Sequence, residues 1–188
     1  MATEEKIGKL DIATHHVMAA IQMISVRSNP YAVHLVAMAA DELVETVAEK
    51  TGATISFSSA RWIKEEHRKD WFKGKRKFYN YFKHADRDHD AQYVGPDPVT
   101  LQMVNDLLLM MTCYGLSELG HKTPDVFHSF TTLVFGFYPQ FYDWDALIDR
   151  FPKLKDGYSE YVGKFNRREY ESILQITLAE ARALDLKL

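Results

Sequence analysis

The densest concentration of chemistry-bearing side chains lies between Lys73 and Asp90, in KGKRKFYNYFKHADRDHD. These eighteen residues combine cations, aromatics, Asn80, His84 and the alternating acids Asp86, Asp88 and Asp90. His84 is the natural general acid or base of the segment, because imidazole titrates nearest neutral pH. Lys83 and Arg87 lower its proton affinity by like charge, whereas Asp86 and Asp88 raise it. Asn80, Lys83, His84 and Arg87 are three or four residues apart, so a persisting helix puts them on one face. Cations there could hold a phosphate or stabilise a developing negative charge. The plainer alternative is a solvated helix end followed by a charged loop, since basic residues in a last turn favour the helix dipole.

A second set of candidate groups is His34, Met38, Asp41 and Glu45, at offsets of zero, four, seven and eleven. Their side chains line one edge of a helix. They are either a polar border beside an apolar core, or ligands and acid/base groups facing a bundle interior. A divalent-metal site could join His34, Asp41 or Glu45 to His84, Asp86 and Asp88 across a tertiary contact. No cofactor is required otherwise. The Asp86-x-Asp88-x-Asp90 start of a calcium loop does not continue: Ala91 stands where Gly is needed and Asp97 where Glu is needed. Cys113 lies in the most apolar stretch and reads as inert core. No nucleophile elbow, phosphate-cradling glycine loop or dinucleotide fingerprint is present.

The elements that must position these groups are helical. Residues 4–27, 30–50, 60–85, 99–120, 124–138 and 166–184 show apolar spacings of three and four. A break near Gly74 and a short helix at 143–151 are further expectations. Thr51-Gly52 ends the second helix. Thr123-Pro124-Asp125 predicts a start with a capping Thr and Pro at the first position. Asn166 with Glu169 predicts a capping box. With almost no strand patterning, the expected fold is an all-α, mostly antiparallel bundle of five to six helices in a single domain, 1–188.

Composition limits function less than charge distribution does. One cysteine excludes an internal disulfide and fits a reducing compartment. The longest dense apolar run, Leu107–Met111, is shorter than the ~18–20 residues of a membrane span. The start, Met-Ala-Thr-Glu-Glu-Lys, lacks the order of a signal peptide. The expectation is a cytoplasmic protein with no membrane partner. The net charge is −3, yet Arg61 to Arg87 holds ten Lys/Arg against four Asp/Glu. An otherwise acidic chain thus carries one basic, aromatic-laced segment.

A small helical bundle with a His near the end of a basic helix resembles the HEPN superfamily of prokaryotic helical RNases and nucleotide-binding domains. The family motif is an Arg, four to six residues and a His, with a polar residue after the Arg. Arg61 and His67 have five residues between them, with Trp62 in the polar position; Arg76 and His84 have seven. The resemblance covers the bundle in outline and this one short motif. It implies metal-independent RNA cleavage by a homodimer, with His84 or His67 as acid/base and Arg61 and Asn80 beside them. Lys83, Arg87, Lys77 and Arg76 would bind the substrate. Residues 80–88 also resemble a segment of uncharacterised bacterial proteins, which implies no chemistry. The basic segment and its aromatics suit single-stranded RNA through ion pairing and stacking. Two alternatives stay open: a non-catalytic module for another anionic ligand or a protein partner, and a His/carboxylate metal-binding bundle.

Overall fold

The structure, a computed structural model, describes residues 6–56, 65–83, 90, 92–139 and 166–183. The protein is all-α, with six helices and no strand among the described residues. They are α1 (Lys9–Ser25), α2 (Pro30–Thr51), α3 (Glu65–Lys83), α4 (Pro98–Glu118), α5 (Asp125–Phe137) and α6 (Arg167–Ala183). The chain forms two compact units, residues 1–123 with α1–α4 and residues 124–188 with α5 and α6.

In the first unit α1 begins at Lys9, later than its periodicity implies, because Asp11 reaches back to accept from the Gly8 N–H (2.9 Å) and caps the helix there. Ile7 consequently lies outside the helix and is exposed. Val17, Ile21 and Ile24 are buried as their spacing requires. The chain then turns through Arg27, a non-glycine residue at φ 57°. Asn29 accepts from the Tyr31 N–H (2.9 Å) and Pro30 opens α2, the arrangement that suits a proline without an N–H. At the other end Gly52 takes the left-handed conformation, φ 69°, that a side chain would strain.

Helix α2 is the hub of this unit, packing on α1, α3 and α4. Contacts fix directions. Lys75 of α3 meets Asp41 and Glu45, whereas Phe82 meets His34 and Tyr31, so α3 runs opposite to α2. Asn105 of α4 meets His34, Thr112 meets Asp41 and Gly115 meets Val44. That constant register makes α4 parallel to α2, as alternate members of an up-down-up-down bundle are. Helix α3 runs unbroken through Gly74, because one glycine costs a helix only about 1 kcal/mol.

Helix α4 is capped by Asp97, which accepts from the Val99 and Thr100 N–H groups (2.9 and 3.1 Å) with Pro98 at the first position. It is long and apolar enough, by length and composition, to cross a membrane. Its buried residues cover more than half its circumference and include Asn105, Asp106 and Thr112 as well as Leu101, Leu108 and Leu109. Val104, Leu107 and Met111 are only half-buried.

In the second unit α5 starts differently from the sequence expectation. Pro124 occupies the capping position in extended conformation and no side chain caps the helix, so Thr123 does not serve as its cap. Asn166 and Glu169 form the expected capping box, with Asn166 Oδ1 accepting from the Glu169 N–H (3.1 Å) and the Asn166 N–H donating to Glu169 Oε2 (2.9 Å). Phe137 and Tyr170 stack at 5.3 Å between α5 and α6. Arg167 lies over the Tyr170 ring (4.9 Å), pairs with Glu171 (2.9 Å) and donates to the Tyr138 hydroxyl (3.3 Å). The expected 143–151 helix lies outside the described residues.

At Gly115 helix α4 packs tightly on α2: a Cβ there would stand 2.8 Å from Val44 Cγ1. Gly115→Leu is therefore expected to lower the thermal midpoint. Overpacking costs about 1–3 kcal/mol, more than the roughly 0.8 kcal/mol of helix propensity that Leu adds. Calorimetry returning an unchanged or higher midpoint would show that the two helices separate freely.

Candidate functional site: the cationic face of α3 and the polar core beneath it

Helical geometry divides the charges of α3. Lys69, Lys73, Arg76, Lys77, Asn80 and Lys83 fall within about a third of the helix circumference, and all six are exposed. From Lys69 to Lys83 the row spans about 21 Å at 1.5 Å per residue. Lys83 Nζ lies 4.9 Å from the Tyr79 ring centroid, a cation–π contact that steadies the row's end. The substrate-binding candidates Arg76, Lys77 and Lys83 thus stand together with Asn80, as helical spacing predicts.

Lys75 behaves otherwise. It sits on the turn that carries Tyr79 and Phe82 at offsets of four and seven, and it is buried. Its ammonium donates to Asp41 Oδ2 and, at 3.4 Å, to Glu45 Oε1 of α2. Burial raises the Asp41 carboxyl to about 6, opposed by Lys75, reinforced by Glu45, and opposed again by hydrogen bonding with Lys75 and Thr112. Two charges taken out of water recover their desolvation only through such close pairing.

His34 completes the buried set. It is 0% exposed, and its Nδ1 lies 2.7 Å from Asn105 Oδ1. Asn105 is oriented by donating its amide to the Pro30 carbonyl (2.9 Å). Its oxygen therefore faces the imidazole, and Nδ1 carries the proton. Nε2 is then a buried acceptor with no hydrogen-bond partner among the described residues, in a ring set edge-on to Phe82 at 6.0 Å. Burial lowers the imidazole's proton affinity, the Asn105 bond raises it and the Lys75 charge lowers it. The net direction is downward, with burial the largest cause, so the site favours the neutral base.

The stripe of His34, Met38 and Asp41 thus belongs to the buried face of α2 rather than to its border, with Glu45 half-buried at its end. The structure does not bring His34, Asp41 and Glu45 together as one ligand set. Lys75 occupies the carboxylates and Asn105 the imidazole. Among the described residues no three His, Cys, Asp or Glu gather closely enough for a metal ion. Arg61, His84, Asp86, Arg87 and Asp88 lie outside the described residues, as does the side chain of His67. Cys113 is buried, and burial pushes its thiol far above the ordinary range.

Beside the cationic row stands a cluster of five rings, Tyr31, Phe78, Tyr81, Phe82 and Tyr93, each half-buried. Tyr93 touches the other four at centroid distances of 5.2–5.7 Å. Its hydroxyl donates to the Pro96 carbonyl (3.1 Å). Gly95 packs so closely on Phe78 and Tyr93 that a Cβ would stand 2.4 Å from each. Tyr81 and Phe82 of α3 thus belong to a half-buried cluster rather than to the core.

Three participants went unnoticed in the sequence. Asn105 is a polar residue within the most apolar helix, a signal that was there to read. Lys75 is out of phase with the other cations of α3, equally readable. Tyr93 follows a polar loop, and nothing local marks it. Compared with family models, with curated proteins and with solved structures, the chain matches none.

Asp41→Ala leaves the Lys75 ammonium buried without its nearest partner and should cost about 3 kcal/mol of stability in denaturant unfolding. Asp41→Leu with Lys75→Met should recover most of that. A mild effect of Asp41→Ala alone would mean that Lys75 escapes to water. The His34 linkage has a definite sign. Its folded pKa lies below the ordinary 6.5, so its stabilising contribution is full above 6.5 and is lost as pH falls toward the folded value. Asp41, raised from 3.8 to about 6, acts oppositely, its contribution being lost as pH rises through 6. The difference in stability between the wild type and His34→Gln should therefore shrink on acidification below 6.5, by up to about 1.4 kcal/mol per pH unit. A pH-independent difference would contradict a neutral buried His34.

Proposed function

We propose that this protein is an RNA-processing helical domain of the HEPN-like kind, which holds a single strand along the exposed face of α3. The observation that carries this reading is the row Lys69, Lys73, Arg76, Lys77 and Lys83, all exposed on one arc of one helix. Five ammonium or guanidinium groups along about 21 Å of a rigid helix form a linear counterpart to a phosphodiester backbone. The overall charge of −3 makes this face an exception on the molecule, so it attracts a polyanion to one place. Asn80 within the row adds a donor and acceptor for a base edge or ribose.

The cleavage step of this reading falls to His84, which follows the last residue of α3 directly in the chain. It would take the 2′-hydroxyl proton while Lys83 or Arg87 stabilises charge developing on the phosphate. His67 is the alternative base, with Arg61 as its motif partner. The metal-bundle alternative has less support, since Asp41 and Glu45 are engaged by Lys75.

Binding of a labelled oligouridylate should weaken steeply with salt, with a log–log slope of roughly −0.7 per phosphate contact. Lys73→Ala with Lys77→Ala should reduce that slope by roughly 1.4 while leaving the helical circular-dichroism signal intact. Cleavage of a mixed RNA pool should survive EDTA and disappear in His84→Ala or in His67→Ala. Binding without cleavage under all conditions would leave a non-catalytic module. No salt-sensitive binding would remove the proposal altogether.

A further inference from the structure

The ring cluster at the C-terminal end of α3 is more than packing for a loop. Large aromatic side chains of a bundle ordinarily sink into its core, as Phe127, Phe130 and Tyr170 do here. Tyr31, Phe78, Tyr81, Phe82 and Tyr93 instead stay half-buried in unbroken ring contact at the surface. Tyr81 lies one helical turn after Lys77 and directly after Asn80, so it borders the cationic row. Tyr93 is tilted against it at 5.6 Å and 48°. Its position is fixed by its bond to Pro96 and by the absence of a side chain at Gly95.

We propose that Tyr81 and Tyr93 form a base-stacking step for the strand held on α3, so that the site selects unpaired nucleotides. This rests on the reading of α3 as an RNA-binding face and assigns its single-strand preference to two particular rings. Cations alone grip any polyanion, and duplex RNA presents phosphates as well as a single strand does. Aromatic faces beside the cations reward only bases free of a partner strand. The ligand class is thus single-stranded RNA with exposed bases, its phosphates toward Lys77, Asn80 and Lys83 and its bases toward Tyr81 and Tyr93.

The test uses the full chain and four probes: a labelled oligouridylate, an abasic ribose-phosphate strand of equal length, duplex RNA and inorganic polyphosphate. Tyr81→Leu keeps apolar volume in the cluster without an aromatic face, and Tyr81→Phe keeps the face. Circular dichroism and thermal melting establish that both variants fold. The wild type should prefer oligouridylate over the abasic strand by roughly tenfold or more, the worth of stacking a base on a ring. Tyr81→Leu should erase that preference, Tyr81→Phe should retain it, and polyphosphate affinity should be the same in all three. Equal wild-type affinity for oligouridylate and the abasic strand would overturn the stacking step while leaving the α3 face as a polyanion site. So would an undiminished preference in a folded Tyr81→Leu protein. Binding of none of the four probes would overturn the α3 reading and the stacking step together.

Discussion

One buried ammonium sets the orientation of the helix on which the site depends. Helix α3 carries cations on most of its turns, and among those with described side chains Lys75 alone points inward, onto Asp41 and Glu45. Rotating α3 by one residue, about 100°, would bring Arg76 or Gly74 to those carboxylates. It would also carry cations of the outer row toward the core. Either rotation would bury cations of the outer row without partners, and an unpaired buried charge costs far more than a buried pair returns. The pair adds little net stability, but it makes the alternatives costly, and the exposed row of Lys73, Arg76, Lys77, Asn80 and Lys83 is the result.

A second polar contact does the same for α4. A helix with apolar residues over more than half its surface could slide or turn against α2 with small losses. Asn105 prevents this by spanning the Pro30 carbonyl and His34 Nδ1. Thr112 beside Asp41 and Gly115 against Val44 repeat the register about two and three turns further along. The core of the first unit is therefore apolar in bulk and polar where it must be specific. Burial favours the neutral form of His34 within it, while Asn105 supplies a hydrogen bond to one ring nitrogen.

Surface and core are coupled at Phe82. This ring meets His34 on one side and Tyr31 and Tyr93 on the other. The aromatic cluster thereby rests on the buried network while bordering the cationic row. A strand lying on α3 would meet charge and rings on one rigid element, held from below by Lys75. The second unit organises itself by different means. There Arg167 joins Tyr138, Tyr170 and Glu171, and the Asn166–Glu169 box starts its helix.

Local chemistry accounts for what could be read directly. The all-α class, the end of α2 at Gly52 and the start of α6 at Asn166 follow from bonds between residues at most five positions apart, which the sequence displays in order. So does the grouping of Arg76, Lys77, Asn80 and Lys83 on one face. The misreadings share one cause. Periodicity tells which residues face the same way and not what stands opposite them. His34 and Asp41 look like a polar border until Asn105 and Lys75, 71 and 34 positions away, are placed against them. Nothing in the periodicity of α3 places Tyr93 against Tyr81. The sequence alone determined the helices and their faces; only tertiary structure decided which charge is buried and which rings remain at the surface, because burial is a property of the neighbours that long-range packing supplies.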